Sequence, residues 1–121
     1  MNSKHVVVAI SGASGSIYGI RCLQLLKEIS DVVAHLVVTP SAKTTIGVET
    51  KFSISEIEKL ADEVHSPRDI GASIASGSFQ TSGMIVAPCS IKTLSAIANS
   101  FGSDLVSRAA DVTLKEMRPL I

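Results

Sequence analysis

The chain contains no tryptophan, one tyrosine and three phenylalanines among 121 residues. A core built on aromatic rings is therefore excluded. The 45% of residues that are hydrophobic must pack as aliphatic side chains, which suits parallel strands covered on both faces. Cysteine is also sparse. Cys22 and Cys89 are expected as free thiols in a reducing compartment. Charge of one sign is missing altogether, because eleven basic and eleven acidic residues cancel and the pI is near 6.8. That balance excludes the electrostatic footprint of a nucleic-acid binder and a polybasic run for anionic lipid. No apolar stretch approaches the roughly 18–20 residues needed to span a bilayer. The run after Met1–His5 is too short for the core of a signal peptide. The expected location is the cytoplasm, with no membrane and no nucleic acid as partner. The length fits one small domain, residues 1–121.

What is present is an alternation of strand and helix signals. Lys4–Ile10 holds a continuous β-branched run, read as a buried strand. Ser11–Ser16 breaks it, and apolar residues then recur at helical spacing from Ile17 to about Ile29. Val32–Thr39 reads as a second strand, and Pro40 stands at the first position of a short helix over Ser41–Thr50. Ser53-Ile54-Ser55-Glu56 is a capping-box pattern that predicts a helix to about Val64. His65–Asp69 is a polar break, and Gly71–Gly83 reads as a long loop. Met84–Ala87 is a third strand, followed by a helix from Ser90 to about Ser100. Gly102-Ser103-Asp104 caps a last helix over Leu105–Met117, and Arg118–Ile121 has the character of an approach to a further strand. The pattern predicts an α/β fold: a three-layer, Rossmann-like (flavodoxin-like) parallel sheet with helices on both faces, incomplete at the C-terminus.

Sheets of this kind bind ligands at the carboxyl ends of their strands. Those ends carry Ser11–Ser16, Thr39 and Pro88–Thr93, all small, hydroxyl-bearing or glycine-containing. In the first loop Ser14 and Ser16 can cap the helix, whose free N–H groups would then form an anion site. A structural turn with no ligand is the other reading of that loop. It is not GxGxxG, it lacks the lysine of a P-loop, and strand two ends in Val38-Thr39 without the acidic residue that a dinucleotide ribose requires. In the second loop Ser90, Thr93 and Lys92 offer hydroxyls and a charge, unless Ser90 is an ordinary helix cap. Two such turns on neighbouring strands suit a mononucleotide such as FMN.

Other residues carry weaker signals. Ala75-Ser76-Gly77-Ser78 is either a flexible linker or another anion-binding turn. Glu49 ends a helix, where the macrodipole disfavours a carboxylate; it is a solvated residue or a base. Arg108 and Lys115 lie seven apart on the last helix and share a face. His5, His35 and His65 have no ligand spacing with one another in the sequence, so no metal is expected. Cys89 reads as a packing residue.

Taken together, Ile10–Gly19, Val48-Glu49-Thr50, Ala75–Ser78, Pro88–Ser95 and Arg108–Leu120 resemble the UbiX-type flavin prenyltransferases, a flavoprotein family formerly described as aromatic-acid (phenolic acid) decarboxylases. The similarity runs along the whole chain in order, and it implies that these residues form the N-terminal two-thirds or so of the family domain. The family is also similar to cysteine-decarboxylating flavoproteins, which place a histidine shortly before the third strand; this chain has none between Ser66 and Met84.

The resemblance implies transfer of a dimethylallyl group from dimethylallyl phosphate to reduced FMN, with new bonds at flavin N5 and C6. The prenylated FMN would be passed to a UbiD-type decarboxylase in quinone synthesis or phenolic-acid breakdown. It implies FMN contacts from Gly12, Ala13, Ser14, Thr39, Ser90, Ile91, Lys92, Thr93 and Arg108. It also implies substrate-phosphate contacts from Gly77 and Lys115, and proton handling by Ser14 and Glu49. A homo-oligomer, a dodecamer assembled from trimers, is implied as well. A non-catalytic FMN-binding fragment and an FMN-dependent decarboxylase are the competing readings.

Overall fold

A computed structural model describes residues 3–121. Strand β1 (Lys4–Ile10) leads into α1 (Ser16–Lys27), β2 (Val32–Val38), α2 (Pro40–Glu49), α3 (Ile54–Glu58) and β3 (Glu63–His65). A single 3₁₀ turn, Ser73–Ala75, then precedes β4 (Gly83–Val86), α4 (Ile91–Ala98) and α5 (Leu105–Lys115). The strands form one sheet in the order β3-β2-β1-β4, and every pairing is parallel. In this order the chain steps outward from β1 to β3, then returns to lay β4 on the other side of β1. The switch in direction falls between β1 and β4, where an open parallel sheet leaves a crevice at its carboxyl ends.

The aliphatic composition accounts for the layers. β1 and β2 alternate side chains between two cores. On one face Val8, Ile10, Leu36 and Val38 pack with Ile20 and Leu23 of α1, Ile46 of α2 and Ile57 of α3. On the other, Val7, Ala9 and Val37 pack with Ile74, Met84 and Leu105, Val106, Ala109 and Ala110 of α5. Each fully buried Ile, Leu or Val contributes about 1.5–3 kcal/mol of transfer free energy. The predicted α/β sheet with helices on both faces is the observed one. Among the described residues no helix is long and apolar enough to cross a membrane. Both cysteines are free.

Two expectations need correction. The helix predicted over Ser53–Val64 stops at Glu58. Its capping box is real, with Glu56 N–H donating to Ser53 Oγ and Ser53 N–H to Glu56 Oε1. Beyond it, Asp62 Oδ2 accepts from Ala34 N–H at 2.7 Å and Asp62 N–H donates to Ala34 O at 3.0 Å. These bonds pin the chain against the edge of β2 and start β3, so the sheet gains a strand that the pattern hid. The predicted third strand is therefore the fourth in sequence. Arg118–Ile121 does run beside β4, as anticipated. Leu120 bridges Met84 in parallel, and Ile121 N–H donates to Met84 O at 2.9 Å.

Candidate functional site

The carboxyl ends of β1, β2 and β4 open into a cleft of about 340 Å³. Gly12, Thr39, Ser41, Ser90, Lys92, Thr93 and Ser107 line it. Three helices begin at its rim. Thr39 caps α2 by accepting from Ala42 N–H at 3.2 Å. Ser90 caps α4 by accepting from Thr93 N–H at 3.1 Å, and its own hydroxyl donates to Thr93 Oγ1 at 3.0 Å. Asp104 caps α5, its Oδ1 accepting from Ser107 N–H and Ser107 Oγ at 2.9 Å each. Asp104 also lines the cleft, but its carboxylate is engaged by the α5 cap. The result is hydroxyls, helix starts and one lysine around a small space, the donor set that a phosphate ester needs.

Two glycines make the geometry possible. A Cβ on Gly12 would lie 2.3 Å from Ser41 Cβ, so only glycine lets the β1 turn meet the start of α2. Gly15 has φ +106°, a left-handed conformation that side chains resist.

Ser11 locks the two central turns together. It is 1% exposed. Its hydroxyl donates to Pro88 O at 2.7 Å and accepts from Ser90 N–H at 2.7 Å. The link spans the switch point between β1 and β4. Ser11 and the cleft residues Ser41 and Ser107 were not singled out from the sequence. The only signal for Ser11 was a polar residue directly after a buried strand.

The start of α1 differs from expectation. Neither Ser14 nor Ser16 caps it; the N-cap is Gly15, with no side-chain cap bond. Glu49, arriving from the end of α2, takes that role. Its Oε1 accepts from Gly15 N–H and Ser16 N–H, each at 3.1 Å. The Ser14 hydroxyl, followed by these amides, holds the Glu49 carboxyl below the usual carboxylate range. The unfavourable end of α2 is outweighed by the favourable start of α1 and its hydrogen bonds. The anion position at α1 is thus filled by the protein's own carboxylate, as Asp104 fills that of α5, and the hydroxyl-capped helix starts are those of α2 and α4. Ser14 and Glu49 are brought together. Ser16 Oγ is buried without a hydrogen-bond partner.

The remaining predicted residues divide. Gly12, Thr39, Ser90, Lys92 and Thr93 meet at the cleft. Ala13 and Ile91 flank it in sequence, with the Ile91 side chain 80% exposed. Arg108 points elsewhere: it lies over Gly102 in a separate recess with Ser100 and Asp111. Gly77 sits against the Glu116 carboxylate, in a loop whose carbonyls at Gly77 and Phe79 accept from Arg118 at 3.0 and 3.1 Å. Lys115 is exposed at the end of α5. Neither Gly77 nor Lys115 lines the cleft. Burial raises the Cys89 thiol above its ordinary value, as befits a packing residue.

A family model described as Flavoprotein matches residues 1–121. The chain belongs to the flavoprotein family. Within that family it is 56% identical over 118 residues to a flavin prenyltransferase UbiX of Escherichia coli K12, covering 98% of this chain and 62% of that protein. It is 60% identical over 116 residues to a flavin prenyltransferase UbiX of Thauera aromatica, covering 96% and 59% respectively. The chain thus spans about three-fifths of the length of these relatives. The fold superposes on a crystal structure of AnUbiX in complex with FMN and dimethylallyl pyrophosphate. That match has a TM-score of 0.95 at 47% identity, over 98% of this chain and 63% of that one. A dodecameric FMN-dependent UbiX-like decarboxylase from Escherichia coli O157:H7 matches with a TM-score of 0.94 at 49% identity, over 96% and 63%. An FMN-dependent cysteine decarboxylase, TvaF, shares the fold at 17% identity.

Proposed function

We propose that residues 1–121 are an FMN-binding domain of a flavin prenyltransferase, which transfers a dimethylallyl group from dimethylallyl phosphate to reduced FMN. The observation that carries this reading is the cleft at the switch point: the hydroxyl-capped starts of α2 and α4 and Lys92 converge beside Gly12, whose missing side chain lets the β1 turn meet α2. That donor set fits the phosphate of a flavin mononucleotide. It does not fit a dinucleotide, because β2 ends in Val38-Thr39 with no carboxylate for a ribose.

Thr39, Ser90, Lys92 and Thr93 would hold the phosphate tail, with Gly12, Ala13 and Ser14 along the β1 turn. Bound reduced FMN supplies the electron-rich ring that accepts the prenyl group. The protein's part is to position the reactants, exclude water and move a proton. The Glu49 carboxylate is kept ionised by Ser14 and the α1 amides and would take a proton beside the ring. Gly77 and Lys115 would meet the substrate's phosphate, and backbone amides with a lysine stabilise the leaving group without a metal. Because they lie away from the cleft, and Arg108 with them, their contribution is expected at a subunit junction of a homo-oligomer. A UbiD-type decarboxylase would receive the product.

Mixing the protein with FMN, dithionite and dimethylallyl phosphate, then seeking a prenylated flavin by mass spectrometry, tests the reading. A parallel reaction with dimethylallyl pyrophosphate fixes the phosphate class. Because the chain spans three-fifths of its relatives, retention of FMN without any new flavin mass would instead establish a binding fragment. Carbon dioxide release from an aromatic or cysteinyl acid would establish a decarboxylase.

A further inference from the structure

The histidines lack ligand spacing along the sequence, yet the sheet brings them into a row. Each is thirty residues from the next, and each lies on a different strand: His5 on β1, His35 on β2 and His65 on β3. The register sets His35 opposite Val7 and Glu63, and His65 opposite Val37, so the three rings are diagonal neighbours on one face. His5 Nδ1 lies 2.8 Å from His35 Nε2, and His35 Nδ1 lies 2.9 Å from His65 Nε2. Phe79 closes the row, edge-on to His5 and His35 with centroids 4.9 and 5.5 Å away.

His35, Glu63 and His65 are near enough to one another to suggest a metal site. The geometry speaks against it. The ring centroids are 5.1 and 5.2 Å apart, close to the N···N distance plus two ring radii. The facing nitrogens therefore lie head-on along the line of centres. A chelated ion needs lone pairs that converge on a point beside that line; a head-on pair at this distance has room only for a hydrogen.

We infer that His5, His35 and His65 form one proton-sharing chain across the sheet, which accepts a single added proton and no more. The count follows from the bonds. Neutral His35 carries one N–H, so it donates to one neighbour and accepts from the other. With its proton on Nδ1 it donates to His65 Nε2 and accepts from His5 Nδ1–H. With its proton on Nε2 it donates to His5 Nδ1 and accepts from His65 Nε2–H. All three rings must then share one tautomer. One extra proton, on any ring, keeps both bonds intact. A second sets N–H against N–H and breaks one, releasing either the β3 edge or the ring that seats Phe79.

The surroundings set where the chain titrates. Burial of the His35 ring holds its pKa below the ordinary value, with His65 and His5 acting in the same direction and Glu63 and Asp62 against it. Glu63 Oε2 is 3.9 Å from His35 Nε2 and half-exposed. Lys43 and Glu58 share a surface recess with His65. Phe79 brings no charge.

Nitrogen-15 labelling of the histidines in the full chain, with long-range proton–nitrogen correlation spectra, reads each tautomer directly. The expected result at pH 8 is one tautomer throughout. On acidification all three rings should move at a common midpoint, with uptake of one proton before β3 resonances shift. Mixed tautomers, or three independent titrations near the value of a free histidine, would overturn the inference. His65→Gln removes the β3 end of the row while retaining a hydrogen-bonding group at little risk to the fold. It should displace the midpoint seen at His5, two strands away, and an unmoved His5 would refute coupling. One equivalent of Zn²⁺ should leave the nitrogen shifts unchanged; stoichiometric binding through these rings would replace the proton chain with a metal site.

Discussion

Replacing Ser11 with alanine tests how the two central turns are held together. The hydroxyl is 1% exposed and makes two bonds of 2.7 Å. The losses are unequal. Pro88 O keeps a second donor, the Ser11 backbone N–H at 3.2 Å. Ser90 N–H, at the mouth of α4, loses its acceptor. An amide buried without a partner costs about 1–3 kcal/mol, and Ser90, half-buried at the cleft, falls at the low end, about 1 kcal/mol. In a chain of this size each kcal/mol lowers Tm by roughly 4 °C, so a fall of about 4 °C is expected. The same change loosens the spacing between Gly12 and Ser90, which both line the cleft. FMN affinity should drop by about tenfold, equivalent to ~1.4 kcal/mol. Thermal melts and flavin fluorescence titrations measure the two effects. Ser55→Ala, on the exposed side of α3, serves as the control and should change neither. If Ser11→Ala melts with wild-type protein and binds FMN equally well, Ser11 does not set the cleft.

Three further outcomes are expected. Gly12→Ala places a methyl 2.3 Å from Ser41 Cβ, so α2 must shift; calorimetric titration should find FMN binding lost while circular dichroism keeps the α/β signature. Glu49→Gln retains a side chain able to accept from the α1 amides but removes the base; FMN should still bind while single-turnover prenylation slows by about 10²–10⁴-fold, and unchanged turnover would remove Glu49 from the mechanism. The folded His35 titrates below its ordinary value, so the unfolded chain binds more protons as pH drops below about 6.5. Stability should therefore decline with acidification through that window. Urea melts at pH 8, 6.5 and 5 read the trend, and a rise on acidification would contradict the sign.

The sequence was a good guide where a signal is local. The β-branched run of β1, the helical spacing of α1, Pro40 at the start of α2 and the Ser53/Glu56 and Asp104 caps all lie within a few residues of what they specify. The cleft residues Gly12, Thr39, Ser90 and Thr93 were legible because strand ends of a parallel sheet face one side by construction. Long-range contacts were hidden. β3 is three residues long and pairs only with β2, so Glu63 and Val64 continue a helical pattern that is cut off by Asp62 binding to β2. The role of Glu49 at α1 depends on a partner more than thirty residues away. The histidine row was invisible for the same reason: ligand spacing is judged along the chain, whereas a parallel sheet juxtaposes residues one strand–helix repeat apart.

The division of the interior between two chain segments has a kinetic consequence. One core draws its helical cover from α1, α2 and α3, before residue 62; the other draws its cover from Ile74 onward, chiefly α5. Only β1 and β2 belong to both. Native-state hydrogen exchange should accordingly resolve two cooperative opening units that share these strands. Amides of β1 and β2 would exchange last, since they become solvent-accessible only when both halves have opened.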